Sequence, residues 1–198
     1  MKGIFTTGFL LLVCAGATIC AAEEDVLGNP ADWKRSTEWA PTEKGPLIQR
    51  IVFDDSVLTG KKVLRVDVIN DGDGKENYPS ILRTFAPVED WTKYRYLKVQ
   101  LMVKTDNADV RFKTACFVIQ NQPAPGEKAE QQKLEQPFLK VPVNTWVDYK
   151  SSLEYVKREK VQNLFPHLYE LGFGEGGGDP NKAERITWYI SEIKLCTE

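Results

Sequence analysis

Histidine is almost absent from this chain: 198 residues contain one, His167, beside Pro166. A histidine-based metal cluster is therefore excluded, and a Ser-His-Asp arrangement would have to be built on that single imidazole. Cysteine is scarce as well. Of four, Cys14 and Cys20 lie in the N-terminal apolar run, and the remaining two, Cys116 and Cys196, are too few for a small scaffold held by several bridges. No block of like charge is present: Lys and Arg number 26, Asp and Glu 28, with the signs interspersed and a net charge of −2. Neither nucleic acid nor an anionic membrane surface is expected as a partner.

The one long apolar stretch is at the start. MKGIFTTGFLLLVCAGATICAAEED carries Lys2, an apolar run from Phe9 to Val13, small residues through Ala22, and charge from Glu23 onward, the pattern of a secretory signal peptide over residues 1–22. The run is short against the about 20 residues that span a bilayer. The expectation is export, with no membrane insertion after cleavage, a secreted or periplasmic location, and a single domain over residues 23–198. Val13 before Cys14 and Ile19 before Cys20 lack the small residue that lipoprotein processing needs. In an oxidising compartment Cys116 and Cys196 could form a disulfide, worth on the order of 4 kcal/mol in the chain-entropy model, and two separate thiols are the alternative.

Apolar and polar residues alternate through much of residues 23–198. In the stretch from Asp90 to Asn121, Leu97, Val99, Leu101 and Val103 point one way while Tyr96, Lys98, Gln100, Met102 and Lys104 point the other. A polar turn leads into a second run, in which Val110, Phe112, Thr114, Cys116 and Val118 alternate with Arg111, Lys113, Ala115, Phe117 and Ile119. Further strands are expected near Ser36 to Trp39 and over Ile48 to Asp54, Val63 to Ile69, Ile81 to Phe85, Phe138 to Val143, Leu168 to Gly174 and Ile186 to Leu195. In the last of these, Ile186, Trp188 and Ile190 hold one phase and Ile193 and Leu195 the opposite one, which places a one-residue bulge near Ser191-Glu192. Leu153, Val156, Val161 and Leu164 sit near helical spacing and predict one short helix before Pro166. Gln122 to Gln136 has no apolar period and reads as a surface loop. The fold class is all-β, a β-sandwich of two antiparallel sheets.

The order GKKVLRVDV from Gly60, YPSILRTF from Tyr78, Trp91 and Tyr94 ahead of the alternating strand, WVDYKSSL from Trp146 and ITWYISEIKL from Ile186 resembles the galactose-binding-like jelly roll of many non-catalytic carbohydrate-binding modules. The resemblance covers most of residues 23–198. It implies an exported, non-catalytic module that binds a glycan or polysaccharide. Aromatics would stack on the sugar rings and planar polar groups would bond the hydroxyl rim. If Leu97 to Val103 face the core, the ligand-binding candidates on the opposite face are Tyr96, Lys98 and Gln100 beside Arg65 and Asp67. Arg83, Lys113 and Tyr189 join them where strand phase allows, and Tyr78 is a loop candidate. Trp91, Trp146 and Trp188 are expected in the core. Jelly rolls also bind at their rim, where Tyr78, the insertion from Gln122 and the turn Gly176 to Asp179 are the candidates.

Catalysis is not expected. A jelly-roll glycosidase needs a carboxylate pair on one face, yet no Glu-x-Asp-x-Glu strand appears, nor the Arg-x-Glu-x-Arg strand of sandwich-type polysaccharide lyases. No cofactor is expected either. Asp71-Gly72-Asp73-Gly74-Lys75-Glu76 gathers oxygen groups that could hold calcium, but without the spacing of an EF-hand it reads as an Asp/Gly turn. Ser191-Glu192 stands where related modules have an Asp-rich strand that can help hold structural calcium. The alternatives are a structural or protein-interaction sandwich with a secreted partner, which an exposed apolar patch would favour, and a polysaccharide-active enzyme, which two close carboxylates in a cleft would favour.

Overall fold

The computed structural model describes residues 23–36, 47–74, 78–134, 138–169 and 175–198. The signal-peptide reading at residues 1–22 lies outside the described residues, as do Trp39, Glu76 and residues 170–174. The strands are β1 Glu23–Asp25, β2 Trp33–Ser36, β3 Leu47–Asp54, β4 Val63–Asn70, β5 Ser80–Glu89, β6 Tyr96–Thr105, β7 Phe112–Asn121, β8 Gln131–Lys133, β9 Leu139–Pro142, β10 Val147–Ser152, β11 Val161–Tyr169 and β12 Glu184–Cys196. A front sheet runs β10-β6-β12-β4-β3, with β1 also paired to β12. A back sheet runs β2-β5-β11-β7-β8, with β9 also paired to β7. Every strand pairing is antiparallel.

Period-2 alternation decides which side of each strand is dry. From the front sheet Leu97, Val99, Leu101, Leu64, Val66 and Ile186 enter the core, and from the back sheet Ala115, Phe117, Ile119, Leu164, Leu168 and Ile81 meet them. Phe117 and Tyr149 stack at 5.4 Å between ring centres and tie the two layers. Trp91 and Trp188 are fully buried, whereas Trp146 is half-buried against the outer side of the front sheet. The bulge lies where the change of phase puts it: β12 opposes β6 in register up to Ile190, and pairing resumes one residue late at Glu192. That extra residue lets Ile190 and Ile193 both reach the core.

Four expectations are corrected. No helix forms between Leu153 and Pro166. Leu153 and Val156 lie in the turn after β10, Val161 and Leu164 lie in β11, and Pro166 sits inside that central strand. Pairing of β11 to β7 continues through Pro166, opposite Phe117, whereas pairing to β5 passes from Leu164–Arg83 to His167–Ser80. A residue without an N–H is accommodated where the ladder gives up a bond. The insertion after Gln122 is not all loop, because β8 lies within it and Leu134 is buried.

The disulfide is absent. Cys116 takes the outward phase of the back sheet and Cys196 the outward phase of the front sheet, opposite Tyr96, and both are free thiols. Stacked sheets are about 10 Å apart, so two outward residues on opposite sheets cannot meet the Cα separation of less than about 7 Å that a bridge requires. Lys113 is the fourth correction. It points inward, where its ammonium donates to Glu184 Oε2 at 2.7 Å and to the Gly177 carbonyl at 3.3 Å.

Candidate functional site

Outward phase brings six of the nine sequence candidates onto the front sheet. Arg65 and Asp67 come from β4, Tyr96, Lys98 and Gln100 from β6, and Tyr189 from β12. Arg65 Nε donates to Asp67 Oδ1 at 2.8 Å, and the Thr187 hydroxyl donates to the same oxygen at 3.0 Å. Gln100 Nε2 donates to Asp148 at 2.8 Å, while its oxygen accepts from Ser191 Oγ at 2.6 Å. Lys98 and Lys194 both pair with Glu23, at 3.2 Å and 3.1 Å. A lysine lies over each tyrosine on this side: Lys150 Nζ sits 3.8 Å from the Tyr96 ring centre and Lys104 Nζ 5.4 Å from that of Tyr189. Tyr189, Met102 and Val63 pack under Val57, Leu58 and Trp146, forming a ridge. On one side of it is a groove of about 370 Å³ that includes Arg50, Arg65, Asp67, Arg185 and Thr187. On the other is one of about 250 Å³ that includes Lys98, Gln100, Asp148, Lys150 and Glu192.

Asp54, beside the larger groove, is held as an anion. Hydrogen bonds from the Ser56 hydroxyl and amide, with Arg65 adding to them, hold Asp54 below the usual carboxylate range. The bond to Asp67 in turn raises Arg65. An acid catalyst needs the reverse, a carboxyl kept protonated by an apolar setting.

The other candidates lie elsewhere. Lys113 is in the core, paired with Glu184. Arg83 occupies the inward phase of β5, where its guanidinium lies 5.0 Å from the Phe85 ring centre and donates to the Val26 carbonyl. Tyr78 precedes β5 on the outer side of the back sheet, its ring edge-on to Tyr169 at 5.3 Å. Asp71 to Gly74 forms a turn in which Gly72 N donates to Asn70 Oδ1 and Gly74 N to the Pro180 carbonyl. Among the described residues no group of three or more His, Cys, Asp or Glu could hold a metal ion.

The back face carries a second set of aromatics, of which Phe165, His167 and Tyr169 are buried. Phe165, His167 and Tyr169 occupy successive outward positions of β11, with rings nearly parallel at 6.3 Å and 6.2 Å. Phe138 joins them 6.1 Å from Tyr169, with half of its surface in solvent. Burial, with Lys133 adding to it, pushes His167 down to about 4, and burial pushes Tyr169 up to about 12 and Cys116 up to about 11. All three are therefore uncharged at neutral pH. Beside this stripe runs a polar row, Thr84, Asn163, Gln120 and Gln131, formed by register across β5, β11, β7 and β8. Within it Asn163 Nδ2 donates to Gln120 Oε1 at 2.6 Å. Pro166 hides the stripe from a reading of the sequence, because a proline there reads as the end of an element. The signal that could have found it is the aromatic alternation Phe165-x-His167-x-Tyr169 itself.

No protein-family model and no curated protein matches the chain. Solved structures do. A carbohydrate-binding module specific for non-crystalline cellulose, CBM28, superposes with TM-score 0.53 at 10% identity, covering 87% of this chain and 94% of that one. The CBM22-2 xylan-binding domain from Paenibacillus barcinonensis Xyn10C gives TM-score 0.51 at 8% identity, covering 89% and 99%. The Clostridium thermocellum Xyn10B CBM22-1–GH10 modules, complexed with xylohexaose, give 0.50 at 9% identity; the match covers 89% of this chain and 28% of that one. The fold is thus the β-sandwich of carbohydrate-binding modules.

Proposed function

We propose that this chain is an exported, non-catalytic module that binds a neutral polysaccharide across the outer face of the back sheet. The observation that carries the reading is the uncharged aromatic stripe of Phe138, Tyr78 and Tyr169 beside the amide row of Asn163, Gln120 and Gln131. Sugar rings offer apolar C–H faces to the first and hydroxyls to the second. The front face has hydrogen-bonding groups, but both of its tyrosines lie under lysines; on the back Lys133 lies over Phe138, and half of that residue's surface still meets solvent. The solved modules of this fold are described as binding cellulose and xylan, which supports a β-linked plant polysaccharide as the ligand class. A protein-docking role draws less support: among the described residues the exposed large hydrophobics are Phe138 and Tyr155, and isolated residues are not a docking patch.

Affinity electrophoresis against soluble xylan, mannan and cellulose derivatives tests the reading. Retardation by one of them is expected, and Tyr78→Ala with Phe138→Ala should weaken it roughly tenfold or more, since each ring contributes about 1 kcal/mol. Unchanged retardation of that double variant, with loss in Gln100→Ala, would move the site to the front sheet.

A further inference from the structure

The larger groove on the front sheet has a charge that the neutral-polysaccharide reading does not use. Its lining includes Arg50, Arg65 and Arg185 with one carboxylate, Asp67; Asp54 lies against Arg65 and Asp106 accepts from the Arg185 amide, so the charge the groove offers is that of the Arg50 and Arg185 guanidiniums. Asp67 is not free to repel an anion, since Arg65 Nε and the Thr187 hydroxyl both donate to it. Arg65 is likewise committed to Asp67 and Asp54. Arg50 and Arg185 differ. Both are exposed, and neither forms an ion pair among the described residues. The register places Arg50 opposite Asp67 on one side, and Arg185 opposite Ile69, two positions from Thr187, on the other. They therefore flank the groove floor from two strands.

We infer that this groove is a second binding site, on the opposite sheet from the aromatic stripe, which takes the oxyanion of an acidic saccharide between Arg50 and Arg185. A guanidinium presents paired N–H donors in the plane that matches a carboxylate or a sulfate ester. The groove lining adds the Thr187 oxygen, which can still accept a hydrogen bond, and the Gln49 amide for the ring that carries the anion. The site rests on charge and register alone. It stands whether or not the back face binds a neutral chain.

Isothermal titration of the full chain with an oligogalacturonate, a sulfated galactan oligomer and a neutral xylo-oligomer tests it. At least one acidic oligomer should bind, with affinity falling as salt screens the pair, and the arm that binds identifies the oxyanion. Arg50→Ala with Arg185→Ala should lower that affinity by about tenfold or more, while leaving the melting temperature and the neutral-oligomer titration unchanged. Tyr78→Ala with Phe138→Ala should leave the acidic arm unchanged. No binding of either acidic oligomer, or equal binding by wild type and the arginine double variant, overturns the inference. Loss of only the neutral arm in the Tyr78 and Phe138 variant bears on the back face alone.

Discussion

The ion pair between Lys113 and Glu184 joins the two sheets, and removing one partner should weaken the sandwich sharply. Lys113 projects inward from β7 of the back sheet and Glu184 from β12 of the front sheet. Their charged atoms meet at 2.7 Å with side-chain exposures of 0% and 2%. The Thr105 hydroxyl donates to the second carboxylate oxygen, and the Gly177 carbonyl accepts from the ammonium. With water excluded, Lys113→Met leaves the Glu184 carboxylate without the ammonium it faces, and Glu184→Leu takes from that ammonium the carboxylate it donates to. Breaking a buried pair in this way costs about 3–5 kcal/mol. A domain of this size loses roughly 2–4 °C of melting temperature per kcal/mol, so each single variant should melt roughly 6–20 °C lower. The double variant Lys113→Met with Glu184→Leu should be more stable than either single one, because it removes both charges and returns apolar volume. Urea unfolding at neutral pH, with calorimetry alongside, measures all four corners of the cycle. Single variants within about 1 kcal/mol of wild type, or losses that simply add in the double variant, would refute the reasoning.

Two further perturbations act on local features. His167, pushed down to about 4 by burial, sits below its unfolded value of about 6.5. Its neutral form therefore contributes stability that is present above pH of about 6.5 and lost as pH falls toward 4, up to about 3 kcal/mol. Urea unfolding across that window should show a steep acid limb that His167→Phe flattens; an equal slope in both proteins would count against the assignment. At Gly72, where φ is +72°, an added Cβ would lie 2.6 Å from the Ala183 nitrogen. Gly72→Ala should cost roughly 1–3 kcal/mol, read as a lower melting temperature, whereas an unchanged one would mean that the Asp71 loop shifts freely.

What the sequence disclosed and what it concealed divide along a physical line. Strand phase is local. Leu97, Val99, Leu101 and Val103 declare their side of β6 without reference to any other strand, and the change of phase after Ile190 places the bulge of β12 to the residue. Lys113 breaks that logic because its alternation reads as polar and outward, while the carboxylate that draws it inward is 71 residues away. Pro166 breaks it differently, since the rule that proline ends regular structure holds only where every ladder bond is needed. β11 gives up pairing to β5 at that point and keeps its pairing to β7.

The candidate site suffered most from non-local causes. Tyr96 and Tyr189 read as exposed platforms from their phase, and the lysines that cover them come from β10 and β6. The row of Thr84, Asn163, Gln120 and Gln131 is assembled from four strands, none of which carries a motif by itself. A sandwich presents two outward faces with the same two-residue period, so alternation separates core from surface but cannot assign an outward residue to one face or the other. Only sheet order does that, and it sends Gln100 and Arg65 to one side of the molecule and Tyr78 to the opposite side. Recognition chemistry then separates with them. Uncharged rings and amides gather on the back sheet and Arg50 and Arg185 on the front, so the two proposed sites fall on opposite faces of one sandwich.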